Sequence, residues 1–252
     1  MKPESVETTQ AWRVANPKTA TAAESALLQL KKDIVAGSLA PNEKLRVREL
    51  IARYGIGASP MREALARLSG MGLVRLEGQK GFRVSPLRHA DLVDITRTRQ
   101  IVESEALALA IRSGDDLWEG EILKAFHLLC REFARRGKGS NAWLDAFEAR
   151  HHAFHGALIA ACPLPALKSF CEDLYLRKER YRRVLFGYAF EQGDVCAEHE
   201  TLMKVVLSRD VEKACASLVA HIGLTADLLA GLLPSPGESE DSTRAEEADA
   251  DD

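Results

Sequence analysis

SPMREALARLSGMGLVRLEGQKGFRVSPL, residues 59–87, decides how the first third of the chain folds. Ser59 is a good helix N-cap, and Pro60 falls at the first helical position, where a missing N–H costs nothing. Leu65 and Leu68 supply the apolar stripe of that helix. From Gly72 onward the period changes. GLVRLEGQKGFRVSPL alternates apolar and polar residues around Gly78 and Gly81, which predicts a two-stranded hairpin. A short helix running straight into a hairpin is half of a winged helix-turn-helix, the helix suited to the major groove and the hairpin serving as the wing.

Toward the N-terminus the other half follows. AAESALLQLKKDIVA, residues 22–36, is helical, with Leu27, Leu30, Ile34 and Val35 on one side. Gly37 ends it, and Pro41 and Asn42 in LAPNEKL make a turn. Residues 45–54 read as a second short helix, and GIGASP is the next break. Three helices and a hairpin thus give a DNA-binding domain over 21–87, preceded by a polar, flexible arm at 1–20. Residues 21–87 hold eleven Lys or Arg against six Asp or Glu, a balance of +5. That excess permits contact with nucleic acid without proving it.

From residue 88 to 233 no strand pattern occurs. Helices are predicted at roughly 89–113, 116–136, 141–161, 164–189, 195–208 and 210–232, an all-α bundle. The fold class is therefore mainly α, in two domains. Residues 234–252 hold eight acids against one Arg and few apolar groups, and are expected to be a disordered acidic tail. No apolar run approaches the roughly 18–20 residues of a membrane helix, and the first residues lack the order of a signal peptide. Five cysteines with no CxxC pair suit a reducing cytoplasm and argue against a disulfide framework. A cytoplasmic location without membrane contact is expected.

The bundle holds an unusual run, HHAFH at 151–155. Leu144, Phe147, His151, Phe154/His155 and Leu158 follow three- and four-residue spacing, so His151 and His155 fall on the inward face and His152 outside it. His199 shares a stripe with Leu202, Met203 and Val206. His221 shares one with Leu218, Thr225 and Leu228. One histidine on an apolar face is usually a satisfied core residue. Four of them, on three helices, need partners for both nitrogens of each ring. A shared divalent ion would serve all four, and a metal-free histidine pocket is the alternative.

At this point a family is recognisable. IVAGSLAPNEKLRVRELIARYGIGASPMREALARLSGMGLVRLEGQKGFRVSPL resembles the DNA-binding half of GntR-type bacterial regulators, and the helical remainder resembles the FCD effector domain. The likeness spans about residues 22–231. It implies DNA contacts from Arg48 on the second helix, from Arg62 in the first turn of the recognition helix, from Ser59 near phosphate, and from Lys80 and Gly81 at the wing tip. Where the family usually has a base-reading arginine, this chain has Ala58, and Arg46 is an added cation that can compensate. A planar guanidinium grips guanine or phosphate. A pair with Glu63 is the plainer role for Arg62, and solvation the plainer role for Lys80. The likeness also implies metal ligation by His155, His199 and His221, with His151 standing where the family commonly has Asp. Zn²⁺ is the default ion, and Ni²⁺ or Cu²⁺ suit imidazole as well. Arg99 and Glu103, one turn apart, match residues lining the family's effector cavity, where the arginine holds a carboxylate; a plain surface pair is the alternative.

These readings converge on a ligand-responsive regulator, a homodimer on a pseudo-palindromic double-stranded operator, with a small carboxylate as effector. Two other classes stay open: a metal-dependent enzyme using the all-histidine site, and a direct metal sensor. The enzyme lacks any HExxH helix or nucleophile motif and leaves the winged helix unexplained.

Overall fold

The computed structural model describes residues 21–78, 81–135, 141–186 and 195–233. The expected arm at 1–20, Lys80 and the acidic tail lie outside them. The chain divides into two compact units, one comprising 1–34 and 42–85, the other 35–41 and 86–252.

The first unit contains α1 (Ala22–Val35), β1 (Lys44–Leu45), α2 (Val47–Tyr54), α3 (Ala58–Gly70), β2 (Val74–Leu76) and β3 (Phe82–Val84). Thr21 and Glu24 cap α1 reciprocally: the Thr21 N–H donates to Glu24 Oε2 at 2.8 Å, and the Glu24 N–H to Thr21 Oγ1 at 3.2 Å. Gly55 ends α2 at φ 68°, a left-handed conformation that costs glycine nothing and sets up the turn into α3. Leu50 of α2 and Met61, Ala64, Leu65 and Leu68 of α3 are buried. The opposite side of α3 is left exposed.

Two expectations are corrected here. The sheet has three strands in the order β1-β3-β2, because Lys44 and Leu45 pair antiparallel with Arg83 and Phe82. Two residues are too short a run for an alternation signal. Helix α3 begins at Ala58 with Gly57 as its N-cap, so Ser59 and Pro60 are already inside the first turn. Proline is tolerated there because first-turn N–H groups have no intrahelical partner.

The second unit contains α4 (His89–Ser113), α5 (Asp116–Ala134), α6 (Asn141–Leu158), α7 (Pro165–Phe186), α8 (Val195–Leu207) and α9 (Val211–Ala230). Helix α4 packs against α7 and α9, α5 against α6 and α8, and α8 against α9. Asp115 and Asp210 cap α5 and α9, accepting from the Trp118 and Lys213 N–H groups. Phe147, Phe154, Leu107, Ile122 and Leu129 lie in one large apolar core. A smaller cluster joins Leu92, Ile95, Tyr181 and Leu229. There the Tyr181 hydroxyl meets both the N–H and the carbonyl of Arg88, just ahead of α4.

Helix α9 departs from the membrane expectation. An 18-residue stretch of it has a mean hydropathy of 1.3, enough by length and composition to cross a bilayer, and 28% of that stretch is buried. One side of the helix packs against α4, α7 and α8. The cysteine expectation also fails, since Cys130 of α5 and Cys196 of α8 are paired as a disulfide. Their 66-residue separation hid this; only the side-by-side packing of α5 and α8 brings them together.

The corner between α4 and α5 leaves no room for a side chain at Gly114. A Cβ there would stand 2.1 Å from the Trp118 ring. The indole cannot swing away freely, because its Nε1–H donates to the Ala157 carbonyl at 2.9 Å and the Arg209 guanidinium lies 5.7 Å from its centre. Gly114→Ala should therefore destabilise the protein by about 1–3 kcal/mol through overpacking. The urea midpoint reads this directly, and an unchanged midpoint would show that the corner yields.

Candidate nucleic-acid interface and metal centre

In the first unit, the residues expected to meet DNA stand on the polar side of α2 and α3. Arg62 is exposed in the first turns of α3, with Ser59 one turn earlier and Arg67 further along. Among the described residues, neither Arg62 nor Arg48 makes an ion pair. Arg46 precedes α2 and binds Glu49 at 2.8 Å, both groups well exposed, so solvent screens the contact and little stability rests on it. In the wing, Gly81 has φ 94°, a backbone suited to glycine. Arg83 is folded inward onto Glu77 and the Asn42 carbonyl, at 2.8 and 2.6 Å, and Arg75 meets the same Glu77.

In the second unit, the four histidines come together. His151 and His155 of α6, His199 of α8 and His221 of α9 offer ring nitrogens all within 4.8 Å of one another. Ring centroids are 4.6 Å apart for His199 and His221 and 4.7 Å for His151 and His155. The inward stripes hold on α6 and α8, where Phe147, Leu158, Leu202, Met203 and Val206 are buried beside them. On α9 the stripe is rotated slightly, leaving Leu228 exposed and His221 half-buried. His152 is half-buried, not fully solvated: it meets Glu172 at 2.6 Å and stacks on Tyr175.

Burial keeps these imidazoles neutral. It pushes His151 and His155 well below the usual histidine range, with like charge from Arg182 and from neighbouring histidines adding to it. Burial lowers His199 to about 4, against the pull of the Val195 carbonyl, and lowers His221 to about 2, with His199 and Lys178 pushing the same way. Neutral imidazole is the ligating form. The His199 Nδ1–H donates to the Val195 carbonyl at 2.7 Å, which leaves Nε2 buried and without a partner among the described residues. An orphaned ring nitrogen facing three other imidazoles fits a metal ligand, since ligating histidines fix their other nitrogen in this way. The donor set suits one ion with ligand bonds of about 2.0–2.1 Å.

Around the cluster lies a charged interior that the sequence reading missed. Tyr175 Oη is 2.5 Å from His151 Nδ1 and accepts from Arg182 at 3.2 Å. Arg182 in turn binds Glu148 through both nitrogens of its fork, Nε at 2.7 Å, and both residues are buried. Arg99 binds Glu103 at 2.6 and 3.2 Å, and both are buried, so this is not a surface pair. Lys178 is buried too. Its Nζ donates to the Ile222 carbonyl at 2.9 Å and has no carboxylate within ion-pair distance among the described residues. Burial pushes its ammonium well below the lysine range, and Arg99 and Arg182 add to the push. Residues 175–183, YLRKERYRR, look like a solvated charge run, yet Tyr175, Lys178, Glu179, Arg180, Tyr181 and Arg182 are all buried. A cleft between α4, α6 and α7, bordered by Glu103, His155, Glu172 and Tyr175, leads toward the cluster.

An exposed arginine-bearing helix with a wing, joined to a helical domain with a polar interior, defines a DNA-binding regulator. Comparison with known proteins agrees. Residues 22–84 match the bacterial regulatory proteins of the gntR family, and 94–224 match the FCD domain. The chain belongs to the GntR family of bacterial transcriptional regulators and carries an FCD domain. It is 36% identical to the HTH-type transcriptional repressor GlaR of Escherichia coli (strain K12), over 77% of this chain and 89% of that protein. It is 34% identical to the HTH-type transcriptional regulator BphR of Paraburkholderia xenovorans (strain LB400), over 79% and 81% respectively. Among solved structures, E. coli McbR/YncC is similar with a TM-score of 0.68 at 21% identity, covering 83% of this chain and 97% of that one. These relatives are regulators rather than enzymes, which removes the enzyme reading.

The Glu148–Arg182 pair generates a prediction. Removing one buried partner strands the other charge, so Glu148→Ala should cost about 3–5 kcal/mol of stability. Chemical denaturation reads the loss, and a cost below that of an ordinary exposed pair would show that water reaches Arg182.

Proposed function

We propose that the chain is a ligand-responsive repressor, a homodimer that binds a pseudo-palindromic operator in the cytoplasm through residues 21–87 and senses its signal through residues 88–233. Its DNA contacts are Arg46, Arg48, Ser59, Arg62, Lys80 and Gly81. The exposure of Arg62 on α3 supports this, because first-turn side chains of a recognition helix face the bases. The name of GlaR as a repressor supports the direction of control. Exposed Ile101 on α4 and Leu224 and Leu228 on α9 support a partner subunit on the helical domain.

Arg62→Ala should weaken operator binding by about 1–3 kcal/mol and relax sequence discrimination. Lys80→Ala should weaken all sequences more evenly and flatten the salt dependence. Operator titrations, with light scattering to confirm a dimer, decide it; unchanged binding in both variants would overturn the assignment of this surface.

The second part of the reading is that His151, His155, His199 and His221 hold one divalent ion, Zn²⁺ by default and Ni²⁺ as the alternative. The orphaned His199 Nε2 is the observation that carries it. Bound there, the ion would supply a Lewis-acidic anchor for an anion. Four neutral ligands leave its charge uncompensated, and a buried uncompensated charge is costly. The effector is accordingly a small organic acid. Arg99 and Glu103 line its cavity, where Glu103 already engages much of the Arg99 fork, so an incoming carboxylate would compete with Glu103 for it. Binding must favour one spacing of the two DNA-binding domains over the other, or it shifts nothing.

Replacing His155, His199 or His221 by Ala should remove the metal, as each ligand comes from its own helix or helix turn, whereas His151→Ala should only weaken binding. Metal analysis tests this, with a thermal-shift and operator-release screen of organic acids against neutral analogues. Protein that holds no ion even after addition of Zn²⁺ or Ni²⁺ would sink the metal reading. Release by the ion alone, without any acid, would favour the direct metal sensor.

A further inference from the structure

Cys130 lies in the last turns of α5, and Cys196 is the second residue of α8. Their Cα atoms are 5.5 Å apart, well within disulfide range, and both residues are half-buried. The remaining cysteines are free: Cys162 and Cys171 are buried and Cys215 is half-buried. The two helices differ in one respect. Helix α8 contributes His199 to the four-histidine cluster, and α5 contributes nothing to it. His199 stands one turn beyond Cys196, and its ring is oriented by the carbonyl of Val195, the residue before Cys196.

We propose that Cys130 and Cys196 form a reversible thiol–disulfide modification site, responsive to oxidants of the peroxide class, that ties the histidine-bearing helix α8 to α5. Cys196 is the attacking thiolate, because the first turn of a helix offers unpaired N–H groups that favour an anion. Its sulfur bonds to one peroxide oxygen as the O–O bond breaks. Hydroxide leaves and takes up a proton as water, and Cys196 becomes a sulfenic acid. The Cys130 sulfur then displaces that oxygen. The S–S bond forms, the S–O bond breaks, and the Cys130 proton leaves with the hydroxide as a second water. One peroxide is reduced and two thiols are oxidised; a cellular dithiol reverses the step by exchange.

Neither cysteine is fully buried, which leaves a small peroxide and a dithiol a route to the pair. Its place fixes what the bond does: it anchors the turn whose backbone holds the His199 ring. On the reading that the cluster holds an ion, the bond sets how firmly α8 presents that ligand; the modification itself does not rest on that reading.

The test uses the full chain kept metal-free with a chelator, so that its outcome is independent of the metal reading. One sample is reduced with dithiothreitol and one treated with hydrogen peroxide, and both are alkylated after denaturation. The expected result is five alkylated cysteines in the reduced sample and three in the oxidised one, a Cys130–Cys196 peptide on mapping, and full recovery with dithiothreitol. Cys130→Ser, which lacks the resolving thiol, should give no Cys130–Cys196 peptide and stop at a Cys196 sulfenic acid that dimedone labels, whereas Cys196→Ser should show four alkylated cysteines before and after peroxide. Hydrogen exchange over the first two turns of α8 should be slower in the oxidised wild type by about 10-fold or more. Five alkylated cysteines after peroxide, a bond through Cys162, Cys171 or Cys215, or identical α8 exchange in the two states would overturn the proposal.

Discussion

Glu148 and Arg182 bring two full charges into the interior of the helical domain, one from α6 and one from α7. Desolvating both is expensive, and the pair is tolerated only because the guanidinium fork meets both carboxylate oxygens and its remaining reach is used on Tyr175. Tyr175 then meets His151. Acid, guanidinium, phenol and imidazole form one line from the charged interior to the histidine cluster. The same positive field from Arg182 helps to keep the imidazoles unprotonated. Four rings this close could not all be cationic, so their neutrality is a condition of the packing as much as of ligand binding.

The two halves of the chain are held together by different means. The DNA-binding half adds short local devices, such as the Thr21–Glu24 capping box and the left-handed Gly55, to the pairing of β1 with β3. The helical half relies on long-range contacts, such as Tyr181 on Arg88 and Lys178 on Ile222. That difference explains what the sequence revealed. Local signals are written in adjacent residues, so the winged helix and the bounds of α4, from His89 to Ser113, could be read directly. The histidine stripe on α6 was legible because apolar neighbours at helical spacing marked the inward face. Strand β1 was not, since two residues carry no period. Tyr175, Lys178 and Arg182 were missed because charged residues on a helix ordinarily face water, and only their partners on α6 and α9 explain their burial. No spacing rule links Cys130 to Cys196.

Similarity to GntR regulators and an FCD domain accounts for the order of the two halves. An imidazole at position 151 removes a negative charge from the cluster that an aspartate would have supplied. Ala58 likewise puts a small apolar side chain at the first position of α3.

Helix α9 has a consequence for how the cell keeps this protein. Its inner face is locked into the core through Leu218, Ile222 and Leu229, while Leu224 and Leu228 remain outside, about half bare. A subunit left with that flank uncovered is recognisable to chaperones and proteases, which select chains by bare apolar surface and brief opening.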